Sequence, residues 1–124
     1  MNKAVIVDDN KYDILILEKL LKINKITEDI ISFSTPIVAL NDIQSLKLSR
    51  EDYLFIDIMM PEFSGYDLLD KLVEQKVDLT QTNVILVSST IDPRDIDKAK
   101  NYEYVQRLLQ KPITSKMLLD ALRT

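Results

Sequence analysis

The chain has 124 residues, 46% of them hydrophobic, a formal charge of −4 at neutral pH, one glycine, four prolines and no cysteine. That profile indicates one compact domain with its own core, and it excludes a disordered, low-complexity or disulfide-stapled chain. The acidic balance leaves no electrostatic footprint for nucleic acid, and the absence of histidine excludes His-based catalysis and any phosphohistidine carried by the chain itself.

At the N-terminus, AVIV runs straight into Asp8–Asp9, which is too short for a signal-peptide core or a membrane span. A soluble cytoplasmic protein with no membrane partner is expected, and the lack of cysteine fits a reducing compartment. From there, apolar runs of strand length alternate with segments of helical period, the pattern of βαβ units around a parallel sheet. Strand 1 is placed near Lys3–Val7. Asn10 caps a helix to about Asn24, with Ile14, Leu17 and Leu21 on one face. Strand 2 lies near Asp29–Phe33, and Thr35–Pro36 reads as cap plus first-turn proline for a helix to about Leu48.

Strand 3 is placed near Tyr53–Ile56, followed by a loop with Pro61 and Gly65 and a helix over Tyr66–Gln75. Strand 4 lies near Asn83–Val87. Asp92–Pro93 opens a fourth helix to about Asn101, in which only Ile96 and Ala99 could anchor a highly charged surface. It is either a solvated surface helix or a loosely docked, movable element. Strand 5 is placed near Tyr104–Leu109, and Thr114 caps a last helix whose apolar residues are Met117, Leu118, Ala121 and Leu122. Strands 1, 3 and 4 are apolar throughout, as central strands covered on both faces should be.

Each of four apolar runs ends on a reactive polar group: Asp8–Asp9, Asp57, Ser88 and Lys111. In an open parallel sheet these groups share the carboxyl edge, where α/β folds bind ligands. Taken singly each has a plain reading, as a turn, a cap, a turn hydroxyl or a surface Lys–Pro. Together they indicate a phosphoryl group and a divalent cation. Three carboxylates about 4 Å apart repel by several kcal/mol per pair at an effective dielectric near 20, so they must protonate, hold a cation or pair with lysine. Asp8, Asp9 and Asp57 are hard oxygen ligands suited to Mg²⁺. An aspartate can act as a nucleophile and become an acyl phosphate. Lys111 offers phosphate a point charge, and Ser88 a hydroxyl donor.

The segments VDDN (7–10), FIDIMMPEFSGYDLL (55–69), VSS (87–89) and KP (111–112) closely resemble the receiver domains of two-component response regulators. The resemblance covers essentially the whole chain. It implies a single receiver domain over residues 1–124 with no effector domain after Thr124. The implied fold is flavodoxin-like, a five-stranded parallel sheet of order 2-1-3-4-5 with five helices and the site at the switch point between strands 1 and 3.

Residue by residue, the resemblance implies Asp57 as phosphoacceptor, Asp9 as a direct Mg²⁺ ligand and Asp8 as a ligand acting largely through water. The Met59 carbonyl is implied as the third protein ligand. Ser88 and Lys111 are implied as the groups that grip the phosphoryl oxygens, and Lys111–Pro112 as a cis bond. Mn²⁺ can stand in for Mg²⁺. The implied donor is a histidine kinase or His-phosphotransfer protein, the output is contact with a downstream protein or onward transfer, and phosphorylation can drive oligomerisation. The chain is then a phosphoacceptor that catalyses only its own phosphorylation and slow dephosphorylation, not a conventional enzyme. Met59 and Thr90 flank the expected water path.

The chain also departs from this pattern. Leu108 replaces the usual aromatic switch residue three positions before the lysine, which favours the alternative of a phosphorylation-independent interaction module. Glu103–Tyr104 replace a Gly–Ala pair, Ser89 replaces a small apolar residue, and Ser64 stands where Asp or Asn is common. Met59 stands where an aspartyl-phosphate hydrolase would need a second acid, so that reading ranks low.

Overall fold

The computed structural model describes residues 2–122, so Met1 and Thr124, the expected domain ends, lie outside the described residues. Five strands alternate with five helices: β1 (Ala4–Val7), α1 (Lys11–Ile23), β2 (Ile30–Phe33), α2 (Pro36–Leu46), β3 (Tyr53–Asp57), α3 (Gly65–Glu74), β4 (Asn83–Ser88), α4 (Pro93–Lys100), β5 (Val105–Gln110) and α5 (Ser115–Leu122). The strands form one parallel sheet of order β2-β1-β3-β4-β5, the flavodoxin-like arrangement expected from the sequence.

Alternation along each central strand divides the core, because successive side chains leave opposite faces of a sheet. Val5, Val7, Leu54, Ile56, Val84 and Leu86 pack on one side with α2 and α3. Ala4, Ile6, Phe55 and Ile85 pack on the other with Ile14, Leu17 and Leu21 of α1 and Leu118 of α5. The residues foreseen as the buried stripe of α1 are the ones buried there.

The caps work as the sequence suggests. Asn10 accepts from the Tyr12 and Asp13 amides, Thr35 from Val38, Asp92 from Arg94 and Asp95, and Thr114 from Met117. Lys111–Pro112 is cis. The differences are shifted element ends and one added turn. β3 and β4 each run one residue further than expected and so include Asp57 and Ser88. A 3₁₀ turn at Leu79–Gln81, capped by Asp78, had no strong signal in the sequence. α2 stops at Leu46 because Lys47 turns left-handed, with φ 50°.

Two further helices stop on left-handed lysines, Lys25 (φ 56°) after α1 and Lys76 (φ 68°) after α3. Both close with the paired backbone bonds of a Schellman ending: Ile26 N–H to Leu21 C=O with Lys25 to Lys22, and Val77 to Leu72 with Lys76 to Val73. α4 buries no residue, and Ile96 is 47% exposed. No helix among the described residues is long and apolar enough to cross a membrane.

Candidate functional site

Strand order brings the four polar strand ends together. The backbone ties them: the Asp8 amide donates to Phe33 C=O (3.0 Å), Ile58 to Val87 (2.9 Å) and Lys111 to Ser88 (2.8 Å). Asp8, Asp57 and Ser88 are 3%, 4% and 1% exposed, whereas Asp9 is on the surface. One carboxylate oxygen from each of Asp8, Asp9 and Asp57 lies within 4.8 Å of the others. Three hard oxygen donors so spaced, two of them in a poorly solvated setting, fit Mg²⁺ by their chemistry.

Lys111 supplies the counter-charge. Its ammonium contacts Asp8 Oδ2 at 2.8 Å, Asp13 Oδ2 at 2.8 Å and Asp57 Oδ2 at 3.3 Å. One positive charge does not neutralise this group. Burial, then the charge of Asp8, push the Asp57 carboxyl up to about 7, against the opposing pull of Lys111 and the Met59 amide. Burial alone would lower the Lys111 ammonium, but its bonds to Asp13 and Asp8 and the nearby charges hold it well above the usual lysine range. Buried Asp52, at the other end of β3, has a different environment. Burial raises its carboxyl, but hydrogen bonds from the Lys3 and Ser49 amides and the charge of Lys3 more than offset that. Asp52 is a satisfied structural acid.

Ser88 Oγ donates to Thr90 C=O at 2.8 Å, which engages its hydroxyl with the loop after β4. The Met59 amide donates to Asp57 Oδ1 at 3.2 Å, and Met59 is 62% exposed. Thr90 Oγ1 lies 4.0 Å from Met59 Sδ.

Gly65 is needed for space. Its amide donates to Ile58 C=O at 2.8 Å, and a Cβ there would sit 2.6 Å from the Asp57 carbonyl oxygen and 2.9 Å from Ile56 Cγ2. The start of α3 is therefore pressed against the strand that ends on Asp57. Gly65→Ala should destabilise the fold by about 2 kcal/mol, as overpacking does, and a urea midpoint unchanged from wild type would refute this close approach.

Leu108 lies on β5 opposite Leu86, half-buried against the core on the α3 side. Aromatic groups gather nearby instead. Tyr66 and Tyr102 pack with their rings tilted and ring centroids 5.2 Å apart, and Tyr104 meets Tyr102 edge-on at 6.0 Å. Tyr66 Oη donates to the Asp95 carbonyl of α4 at 3.1 Å, and Lys98 Nζ lies 4.7 Å over its ring. A helix with no buried residue is thus held partly by one tyrosine adjoining Gly65. Tyr66→Phe removes one hydrogen bond, normally worth about 1 kcal/mol. The α4 amides should then exchange with solvent several-fold faster, while β1 and β3 amides keep their wild-type rates.

Asp13 is the site residue that sequence reasoning did not single out. Its only local signal is its place in the first turn of α1, three residues after the cap, an ordinary position for an acid.

Residues 4–123 match the family model described as response regulator receiver domain. A curated protein of Dictyostelium discoideum, hybrid signal transduction histidine kinase L, is 24% identical over 115 residues, covering 91% of this chain but 7% of that protein. The chain therefore spans a small part of the length of that relative. A two-component response regulator from Cytophaga hutchinsonii superposes with a TM-score of 0.86 at 25% identity, covering 98% of this chain and 93% of that one. A response regulator receiver protein from Dyadobacter fermentans gives 0.83 at 23% identity, covering 99% and 96%. Sheet order, acidic strand ends and the match over residues 4–123 agree: the chain belongs to the response regulator receiver domain family, a signalling domain and not a conventional enzyme.

Proposed function

We propose that this receiver takes a phosphoryl group on Asp57 in a reaction that needs Mg²⁺. The observation that carries this reading is the buried Asp57 carboxylate beside Asp8 and Asp9, with Lys111 Nζ 3.3 Å from its Oδ2. Asp8, Asp9, Asp57 and the Met59 carbonyl would hold the cation, which when bound supplies neutralising charge to a transferring phosphoryl group. The donor is a phosphohistidine on a histidine kinase or His-phosphotransfer protein, in keeping with the hybrid kinase relative. An Asp57 oxygen attacks phosphorus, the P–N bond breaks, and the imidazole leaves with the bonding pair. Lys111 and the Ser88 hydroxyl then engage phosphoryl oxygens. For Ser88 this means leaving the Thr90 carbonyl, which shifts the loop into α4. The face formed by α4, β5 and α5 delivers the signal to a downstream protein or copy. Water later cleaves the acyl phosphate.

The test is intact mass after incubation with a small phosphodonor. One phosphoryl group that appears with Mg²⁺, and not in EDTA, is expected. No incorporation under conditions that label an ordinary receiver would sink the reading.

A second reading rests on Leu108, which has no ring to reorient. On that reading the fold is an interaction module whose partner binding ignores phosphorylation. Equal affinity for a captured partner with and without the phosphoryl group would favour it.

A further inference from the structure

Three helices carry an aspartate three residues after the cap. In α3 and α4 that aspartate turns back to the cap: the Ser64 amide donates to Asp67 Oδ2 at 3.1 Å, and the Asp92 amide to Asp95 Oδ2 at 3.1 Å. This reciprocal arrangement is the local default for such spacing. In α1 it is broken. The Asn10 amide is taken by Asp8 Oδ1 at 2.9 Å, and Asp13 points its carboxylate at Lys111 Nζ, 2.8 Å away. The helix gives up a local bond, and Asp13 gains a contact at the mouth of the site, where it lines a small cavity with Asp8, Ile16, Lys111, Pro112 and Ile113.

An ammonium has three N–H donors, and those of Lys111 meet Asp8, Asp13 and Asp57. Asp57 has the longest of these contacts, 3.3 Å against 2.8 Å. We infer that Asp13 is a positioning residue that takes up part of the Lys111 ammonium, which stays on Asp8 but stands back from Asp57, and so leaves the Asp57 carboxylate more open to a divalent cation. Without Asp13, the ammonium closes on Asp57 Oδ2, now 3.3 Å away, and competes with the cation for that oxygen. Asp13 lies outside the acidic trio Asp8, Asp9 and Asp57 that would hold the cation. This inference rests on the phosphoacceptor reading above.

The test is Mg²⁺ titration of the full chain, followed by the amide NMR signals of residues 57–59, for wild type, Asp13→Asn, Lys111→Met and the double variant. Asp13→Asn keeps the shape of the first turn and the Asn10 cap, so folding is preserved. If Asp13 acts through Lys111, its removal should weaken Mg²⁺ binding more when Lys111 is present than when it is Met, with a difference of roughly fivefold between the two backgrounds. Asp13→Glu, which keeps a carboxylate in reach of Lys111, should recover most of the loss. Equal factors in both backgrounds overturn the inference and make Asp13 a field charge only. Wild type that takes a phosphoryl group while the variants behave additively refutes the role of Asp13 alone. Wild type that neither binds Mg²⁺ nor takes label refutes both.

Discussion

Asp57→Asn is expected to abolish Mg²⁺-dependent phosphoryl uptake and, in the same molecule, to make the metal-free fold more stable at pH 8. The first effect follows from replacing the proposed nucleophile with an amide. The second follows from electrostatics. The Asp57 carboxyl is pushed up to about 7 in the folded chain by burial and by Asp8, against an ordinary value near 4 when unfolded. Between those values the folded state holds the proton more tightly than the unfolded state. Wild-type stability in EDTA should therefore rise as pH falls from 8 toward 5, and the cost of ionising Asp57 is complete above about 7. That cost is on the order of 2–4 kcal/mol. Asparagine cannot ionise, so the variant should lack this slope, and Mg²⁺ should flatten it in wild type. Urea unfolding at pH 5 and pH 8, with and without Mg²⁺, measures all of this. A variant less stable than wild type at pH 8 in EDTA would contradict the picture of crowded, under-neutralised acids.

Lys111→Met should act in the opposite direction. Methionine keeps an unbranched apolar stem in the cavity that Lys111 lines with Ile16, Leu17 and Ile113, but it removes the charge that Asp8, Asp13 and Asp57 share. Leaving buried carboxylates without their partner typically costs about 3–5 kcal/mol. Since Asp13 is partly exposed, the lower end applies, and a loss of about 3 kcal/mol at pH 8 without metal is expected. Mg²⁺ should restore much of it, because the cation supplies the missing charge. Adding Asp57→Asn to Lys111→Met should also recover stability, so the two changes will not add. A loss below about 1 kcal/mol, the scale of an exposed ion pair, would mean that solvent already screens this cluster.

Much of this was legible in the chain. Runs such as AVIV and NVILV have the length and apolarity of central strands, and each Thr–Pro or Asp–Pro pair marks a helix start by local geometry. Parallel strands share one carboxyl edge, so the ends at Asp8, Asp57, Ser88 and Lys111 come together once those strands are adjacent, and the adjacency itself was implied by the family resemblance. What stayed hidden depended on long-range partners or on choices between near-equal local options. Asp13 could close its own cap or reach Lys111, and the lysine lies 98 residues away in the chain. Tyr66 marked only the start of a helix in the sequence, yet its hydroxyl donates to a carbonyl of α4. The early end of α2 depends on Lys47 accepting a left-handed backbone, which its side chain does not favour.

Those left-handed lysines bear on how the chain can evolve. Lys25, Lys47 and Lys76 each lie on the approach to a strand, at the amino edge of the sheet, away from the acidic carboxyl edge. Where many chains end a helix on glycine, this one accepts native backbone strain and keeps its unfolded state less flexible. Strain stored there is separable from signalling: these positions can drift, or be relieved by design, and change the lifetime of the fold while leaving the chemistry at Asp57 as it is.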